Sequence, residues 1–282
     1  MKRGVGGLAA AAAVAAPVGL GVIYAALASL GVVGVGAAGF GIERVQRVLS
    51  EPSTWRGLGW TLWVAGASTL TASAAAVLVA VLFRSGTRSS RLARALAIVP
   101  LPVPQLVAAT AGVLILGQSG YLARLTYSLG LLRVPAQMPA LIYDRWGIGL
   151  IVTLAWKEFP FLALIAFAVL AIRGAAYEEV ARGLGAGRGA VLRRITLPLL
   201  WRGMLPAIIS VFILQAGAYE ATALFAPSDP LPLPLLTLER YTDLDLGARP
   251  DAFVLGLVGM TLSIAAVLAY DWARTRWERL GS

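Results

Sequence analysis

Glu178-Glu179-Val180-Ala181-Arg182-Gly183-Leu184-Gly185-Ala186-Gly187-Arg188-Gly189-Ala190-Val191-Leu192-Arg193-Arg194-Ile195-Thr196-Leu197-Pro198 is the polar stretch around which the chain is organised. Long apolar runs flank it on both sides. Its pattern predicts two short amphipathic helices broken by glycines. Tyr177, Val180, Ala181 and Leu184 fall at i, i+3, i+4 and i+7, so they share one face. Glu178, Glu179 and Arg182 point elsewhere. Gly183, Gly185, Gly187 and Gly189 are expected to interrupt the first helix, because glycine costs about 1 kcal/mol against alanine inside one. Leu192 and Ile195 start a second apolar face, while Arg188, Arg193 and Arg194 stay polar. Pro198 is expected to reset the backbone before the next apolar run.

The surroundings of this stretch are those of a membrane protein. The 282 residues are 59% hydrophobic and 13% charged, with mean hydropathy +0.79. A soluble domain carries about 25% charged residues. A single transmembrane domain over 1–282 is therefore expected. Cysteine and histidine are both absent, which removes disulfides, thiolate chemistry, the commonest metal ligand and the commonest general base. A hydrolase or metalloenzyme is not expected, and neither is a resident cofactor. The only lysines, Lys2 and Lys157, end no phosphate-binding loop, so no nucleotide site of that kind is expected.

Six apolar runs are long enough to span a bilayer, at about 8–38, 58–83, 96–116, 147–172, 203–225 and 251–270. The fold class is thus all-α, a six-helix transmembrane bundle with the polar stretch between helices 4 and 5. The first run follows Met1-Lys2-Arg3-Gly4 and is too long for a cleaved signal peptide. Trp55, Trp60 and Trp63 crowd the start of the second, as an aromatic belt does. Pro100, Pro102 and Pro104 make the entry to the third kinked or extended, either as punctuation or for gating. In the fourth, Trp156, Lys157 and Glu158 precede Pro160, and Lys157 lies about 15 Å deep at the helical rise. Neighbours at i and i+1 do not face each other, so at least one of this pair should meet a partner helix or an aqueous path. Glu220 sits near the far end of the fifth run, where a plain interfacial carboxylate suits as well as a pathway residue. Residues 226–250, rich in proline and acid, are expected to be an extended outer loop.

Charge orients the six runs. With the amino terminus in the cytoplasm, the inner segments hold Lys2, Arg3, Arg84, Arg88, Arg91, Arg94, Arg173, Arg182, Arg188, Arg193, Arg194, Arg202, Arg274, Arg276 and Arg279 against only Glu178, Glu179, Asp271 and Glu278. The outer segments carry eight arginines and eight acids, which balance. The positive-inside rule places both termini and the polar stretch in the cytoplasm.

Glu179, Ala181, Gly185, Ile195, Leu197 and Pro198 resemble the cytoplasmic signature loop of inner-membrane permeases of ABC importers: Glu-Ala-Ala, then Gly, then Ile-x-Leu-Pro. Val180 stands where that family usually has its first alanine. The other reading of the stretch is a helix lying on the membrane surface. The resemblance implies a coupling helix that docks into a cleft of a separate ATPase subunit, with Tyr177, Glu178, Glu179, Val180, Ala181, Leu184, Gly185, Ile195, Leu197 and Pro198 as the coupling residues. It also implies a second permease subunit, identical or homologous, an extracytoplasmic solute-binding protein, and a bacterial inner membrane. Trp156, Lys157, Glu158 and Glu220 are the candidate pathway residues. The segments Glu239-Arg240-Tyr241-Thr242-Asp243 and Arg249-Pro250-Asp251-Ala252 look similar to the polyamine, thiamine, ferric iron and sulfate branch. Two alternatives stand beside this reading. One is an ion- or proton-coupled transporter or channel relaying through Lys157, Glu158 and Glu220; the other is a scaffold with no solute path. Nucleic acid is not an expected partner.

Overall fold

The computed structural model describes residues 2–35, 37, 39–84 and 87–280, and their side chains apart from those of 2–11, 135, 173, 175, 273 and 277–280. Every regular element among the described residues is helical. Six helical segments are long and apolar enough to cross a membrane: Ala12–Ser29, Pro52–Leu82, Gln105–Ser128, Ile148–Ile172, Arg188–Ala216 and Arg249–Arg276. The six expected runs are present, with shifted ends.

The shifts have local causes. α1 (Lys2–Ser29) stops well before residue 38, because Gly31 turns left-handed with φ +73° and its N–H closes onto the Ala28 carbonyl at 3.1 Å. Gly36 and Ala38, inside the expected run, lie outside the described residues. α2 (Glu43–Ser50) is a short amphipathic helix, and α3 (Pro52–Leu82) opens on Pro52, whose missing N–H is no loss in a first turn. α4 (Arg88–Ile98) is capped by Thr87, whose hydroxyl accepts the Ser90 N–H at 3.3 Å. The third membrane helix, α5 (Gln105–Leu116), therefore starts later than 96. Between α4 and α5 the prolines cannot donate, and the chain turns instead through Leu101 N–H to Ile98 O at 2.9 Å and Val103 N–H to Pro100 O at 3.2 Å. α6 (Tyr121–Ser128) extends α5 beyond a glycine turn.

α7 (Ile148–Val169), α8 (Ala175–Gly183), α9 (Arg188–Val191) and α10 (Leu197–Ala216) carry the polar stretch and its flanks. The fifth run does not reach 225 as one helix: Gly217 ends α10, and α11 (Glu220–Phe225) follows separately. Residues 226–250 are not wholly extended. Pro232 and Pro234 open α12 (Leu233–Thr242), proline being well suited to a helix start. α13 (Arg249–Leu280) runs past residue 270, since no glycine or proline interrupts residues 271–280.

By its internal contacts the chain divides into two compact units, residues 1–60 with 230–265 and residues 61–229 with 266–282. The first has a small core of Val48, Leu233, Leu236, Val254 and Leu255. Its polar ties are Arg47 to Asp251 and Arg240 to Glu51. The second packs α3, α7 and α10 through Ala72, Ala76, Ala80, Ala163, Ala166, Leu162, Leu200 and Met204. Small residues let helix backbones approach where lipid offers no hydrophobic contrast. At Gly203 the approach is close: a Cβ there would stand 2.6 Å from a Val169 methyl carbon.

Candidate functional site

The polar stretch is two arms joined by one turn. α7 passes into α8 through a π-helical segment, Leu170–Gly174, and α9 passes into α10 through another, Leu192–Thr196. Such bulges add a residue to a turn and swing the following helix. Pro198 does not reset the backbone; the helix carries on through it, directly after the second bulge, where the ladder is already loosened.

Only part of the glycine run breaks helix. Gly183 ends α8 and Gly189 lies within α9. The break is at Gly185, with φ +86°. Its N–H bonds to Arg182 O at 2.9 Å, and the Ala186 N–H bonds to Ala181 O at 3.0 Å. This pair of bonds is a Schellman closure, and its left-handed residue is glycine for want of a Cβ.

The expected apolar face exists and is open. Tyr177, Val180 and Leu184 are 58%, 65% and 84% exposed, and Ala181 is half-buried. Glu179 is exposed beside them. Ile195 is half-buried, while Leu197 and Pro198 are exposed at the start of α10.

Glu178 behaves differently from its neighbour Glu179. It is 8% exposed. The Arg182 guanidinium donates to one of its oxygens at 3.0 Å, the Thr196 hydroxyl donates to the other at 2.8 Å, and Arg84 pairs with that same oxygen. Glu178 thus ties α8 to the far arm and to the segment between α3 and α4. A carboxylate held by two guanidinium groups and a hydroxyl has its lone pairs satisfied, which is what its burial requires. Beside this tie lies a cavity of about 600 Å³ lined by Arg84, Arg94, Phe167, Glu178, Glu179 and Arg182. Arg94 stacks 5.1 Å over the Phe167 ring and donates to Phe83 O at 3.0 Å. Arg84, Arg94, Phe167 and Thr196 were not singled out as site residues from sequence.

The candidate pathway residues are not gathered. Trp156 is exposed, Lys157 half-buried and Glu158 buried on successive positions of α7. Glu220 is exposed in the first turn of α11. No hydrogen bond or ion pair joins Lys157, Glu158 and Glu220 among the described residues, so a relay through all three has no geometric support.

The comparisons agree with the helical architecture. Residues 72–279 match the family described as binding-protein-dependent transport system inner membrane component. The chain is 30% identical over 238 residues to the molybdenum transport system permease protein ModB of Mycobacterium bovis, covering 82% of this chain and 84% of that one. It is 29% identical over 149 residues to ModB of Escherichia coli K12, covering 50% of this chain and 65% of that one. Among solved structures, a bacterial ABC transporter involved in the import of the acidic polysaccharide alginate aligns with TM-score 0.66 at 19% identity, over 85% of each chain. An amino acid ABC transporter aligns with TM-score 0.56 at 16% identity. These matches do not favour a self-sufficient secondary transporter. The chain belongs to the binding-protein-dependent transport system inner membrane component family, as a multi-pass permease subunit of an ABC importer.

Proposed function

We propose that this permease carries a tetrahedral oxyanion of the molybdate kind, and that residues 177–198 are its contact with a separate ATPase. The observation that supports the second part is the open apolar face of Tyr177, Val180 and Leu184 on an arm held rigid by buried Glu178. A lever must be stiff on the side that pushes and complementary on the side that is pushed. Glu178 supplies stiffness, and the exposed face with Glu179 supplies complementarity. ATP is bound by the partner, in keeping with the lack of a phosphate-binding loop. The excess of arginine on the inner segments supports a cytoplasmic loop and cytoplasmic termini. A second permease subunit and an extracytoplasmic binding protein complete the assembly, the latter meeting the outer segments around α2 and α12.

The solute class rests on the relatives named for molybdenum transport. Molybdenum in neutral water is an oxyanion, chemically close to sulfate, one of the solutes suggested by the outer segments. A half-buried cation at Lys157 suits an anionic solute better than a cationic one. The test is reconstitution of the complex in vesicles with labelled molybdate, sulfate and a cationic solute supplied outside. ATP-dependent uptake of molybdate is expected. Uptake of the cation alone overturns the solute assignment, and uptake independent of any ATPase overturns the importer reading.

A further inference from the structure

A groove of about 650 Å³ lies along α7, α8 and α10, away from the Glu178 tie. Ile165, Val169, Ile172 and Leu199 give it apolar walls, and Arg194 and Arg202 line it with Tyr177. Among the described residues no carboxylate lines it. Both arginines are exposed, and neither has a hydrogen bond or ion pair among the described residues. The helical rise puts Arg202 about 12 Å further along the helix than Arg194, next to the inner end of the fifth apolar run. An unpaired guanidinium against apolar walls there is costly and either reaches out to the headgroups or draws an anion in. Trp201, half exposed next to Arg202, has the amphipathic ring that favours the same interfacial level.

We propose that this groove holds an anionic phospholipid, its phosphate between Arg194 and Arg202 and an acyl chain along Ile165, Val169 and Ile172. A free phosphate would leave the apolar walls wet, and a neutral lipid would leave two guanidinium groups without a counter-charge. The cytoplasmic leaflet is the anionic one, so the proposal rests on the orientation given above. The site also bears on coupling. Tyr177 belongs both to this groove and to the proposed ATPase-docking face, so an occupied groove packs behind the docking arm.

The native chain has no cysteine, so Ile172→Cys, at a position 79% exposed, offers a label site free of background. A bimane on that cysteine, in purified permease reconstituted without ATPase, is expected to be quenched more by brominated phosphatidylglycerol than by brominated phosphatidylcholine at equal content. Replacing both Arg194 and Arg202 by Gln is expected to abolish the preference, at about fivefold in occupancy per arginine. Arg88→Gln, exposed and outside the groove, is expected to leave it intact. Equal quenching by the two lipids overturns the proposal. So does a disulfide forming between Ile172→Cys copies, or cross-linking of that cysteine to the ATPase in the full complex, because protein then occupies the groove. Orientation is read separately, from labelling of Gly185→Cys by an impermeant thiol reagent on sealed vesicles. A failed lipid preference is thereby distinguished from a reversed topology.

Discussion

The Thr196 hydroxyl donates to the Glu178 carboxylate at 2.8 Å, joining the two arms of the proposed coupling loop across its glycine turn. Thr196 is fully buried and Glu178 nearly so. Their bond makes the loop a closed unit instead of two helices on a hinge. Thr196→Val keeps the shape and removes the donor, and is expected to cost about 1 kcal/mol. Glu178→Ala leaves Arg84 and Arg182 facing one another without the anion, and is expected to cost about 2–4 kcal/mol. Thermal unfolding of the purified permease measures both. ATP consumed per solute imported should rise in both variants, more in the second. An Ala variant as stable as the parent would mean that the tie holds nothing.

The outward face predicts the opposite pattern. Leu184 is 84% exposed and covers no core. Leu184→Asp is expected to leave the melting temperature within about 1 °C of the parent, as surface changes usually do. It is expected to abolish co-purification of the ATPase, because a carboxylate would enter an apolar cleft. Loss of stability together with retained ATPase would place Leu184 in the fold and not in the interface.

Gly185 separates conformation from contact. Its φ of +86° is a position that L-residues enter at a cost of about 1–2 kcal/mol, yet nothing stands within 4 Å of where its Cβ would be. Asn and Asp have nearly the same shape and both tolerate the left-handed region better than other side chains. Gly185→Asn is expected to retain most coupling, while Gly185→Asp loses it through its charge. The comparison is read from ATPase stimulation and uptake in the same vesicles. Equal behaviour of the two would remove the argument for a docked surface at this residue.

How much of this was legible in the sequence depends on the range of the interaction. The six spans were readable, since each is a property of a single apolar run. The exposed face of Tyr177, Val180 and Leu184 was readable from helical spacing alone. The ends of helices were less so: whether Gly31, Gly183, Gly185 or Gly189 breaks a helix depends on the φ each adopts, and glycine permits several. The inward turn of Glu178 was not readable. Arg182 at i+4 was a local hint, but Arg84 lies 94 residues away and Thr196 on the other arm. The two π bulges leave no mark in residue type, which is why Pro198 reads as a break and behaves as part of a helix.

Close packing in the second compact unit gives a sharper test of the fold. A Cβ on Gly149 would fall against the carbonyl of Leu141, and the backbone has no freedom to yield. At Gly203 the obstacle is the two methyl groups of Val169, side-chain atoms that can give by a small shift where a backbone carbonyl cannot. Gly203→Ala is therefore expected to cost about 1–3 kcal/mol, in the range of core overpacking, and Gly149→Ala more. Folding yield and unfolding in detergent rank the two. Val169→Ala should restore Gly203→Ala but leave Gly149→Ala unimproved.

Asp251 carries the last prediction, in the other compact unit. It is 2% exposed and accepts from Arg47 at 2.9 and 3.1 Å, with Arg44 at 3.6 Å. Arg44 otherwise leaves its Nε buried without a hydrogen bond. The carboxylate sits at the start of α13 and so fixes α2 against that helix, as Arg240 to Glu51 at 2.6 Å fixes α12 to the segment before α3. Asp251→Ala removes the shared acceptor and is expected to cost about 2–4 kcal/mol, a buried pair being costly to halve and Arg47 being partly in water. Asp251→Asn, which keeps one acceptor oxygen, is expected to cost less. Because α2 and α12 are the proposed seat of the binding protein, the functional effect should be selective. ATPase activity without binding protein is expected to stay near the parent value, while its stimulation by solute-loaded binding protein falls severalfold. Parallel loss of both activities would assign the Asp251 cluster to general folding and move the seat of the binding protein elsewhere.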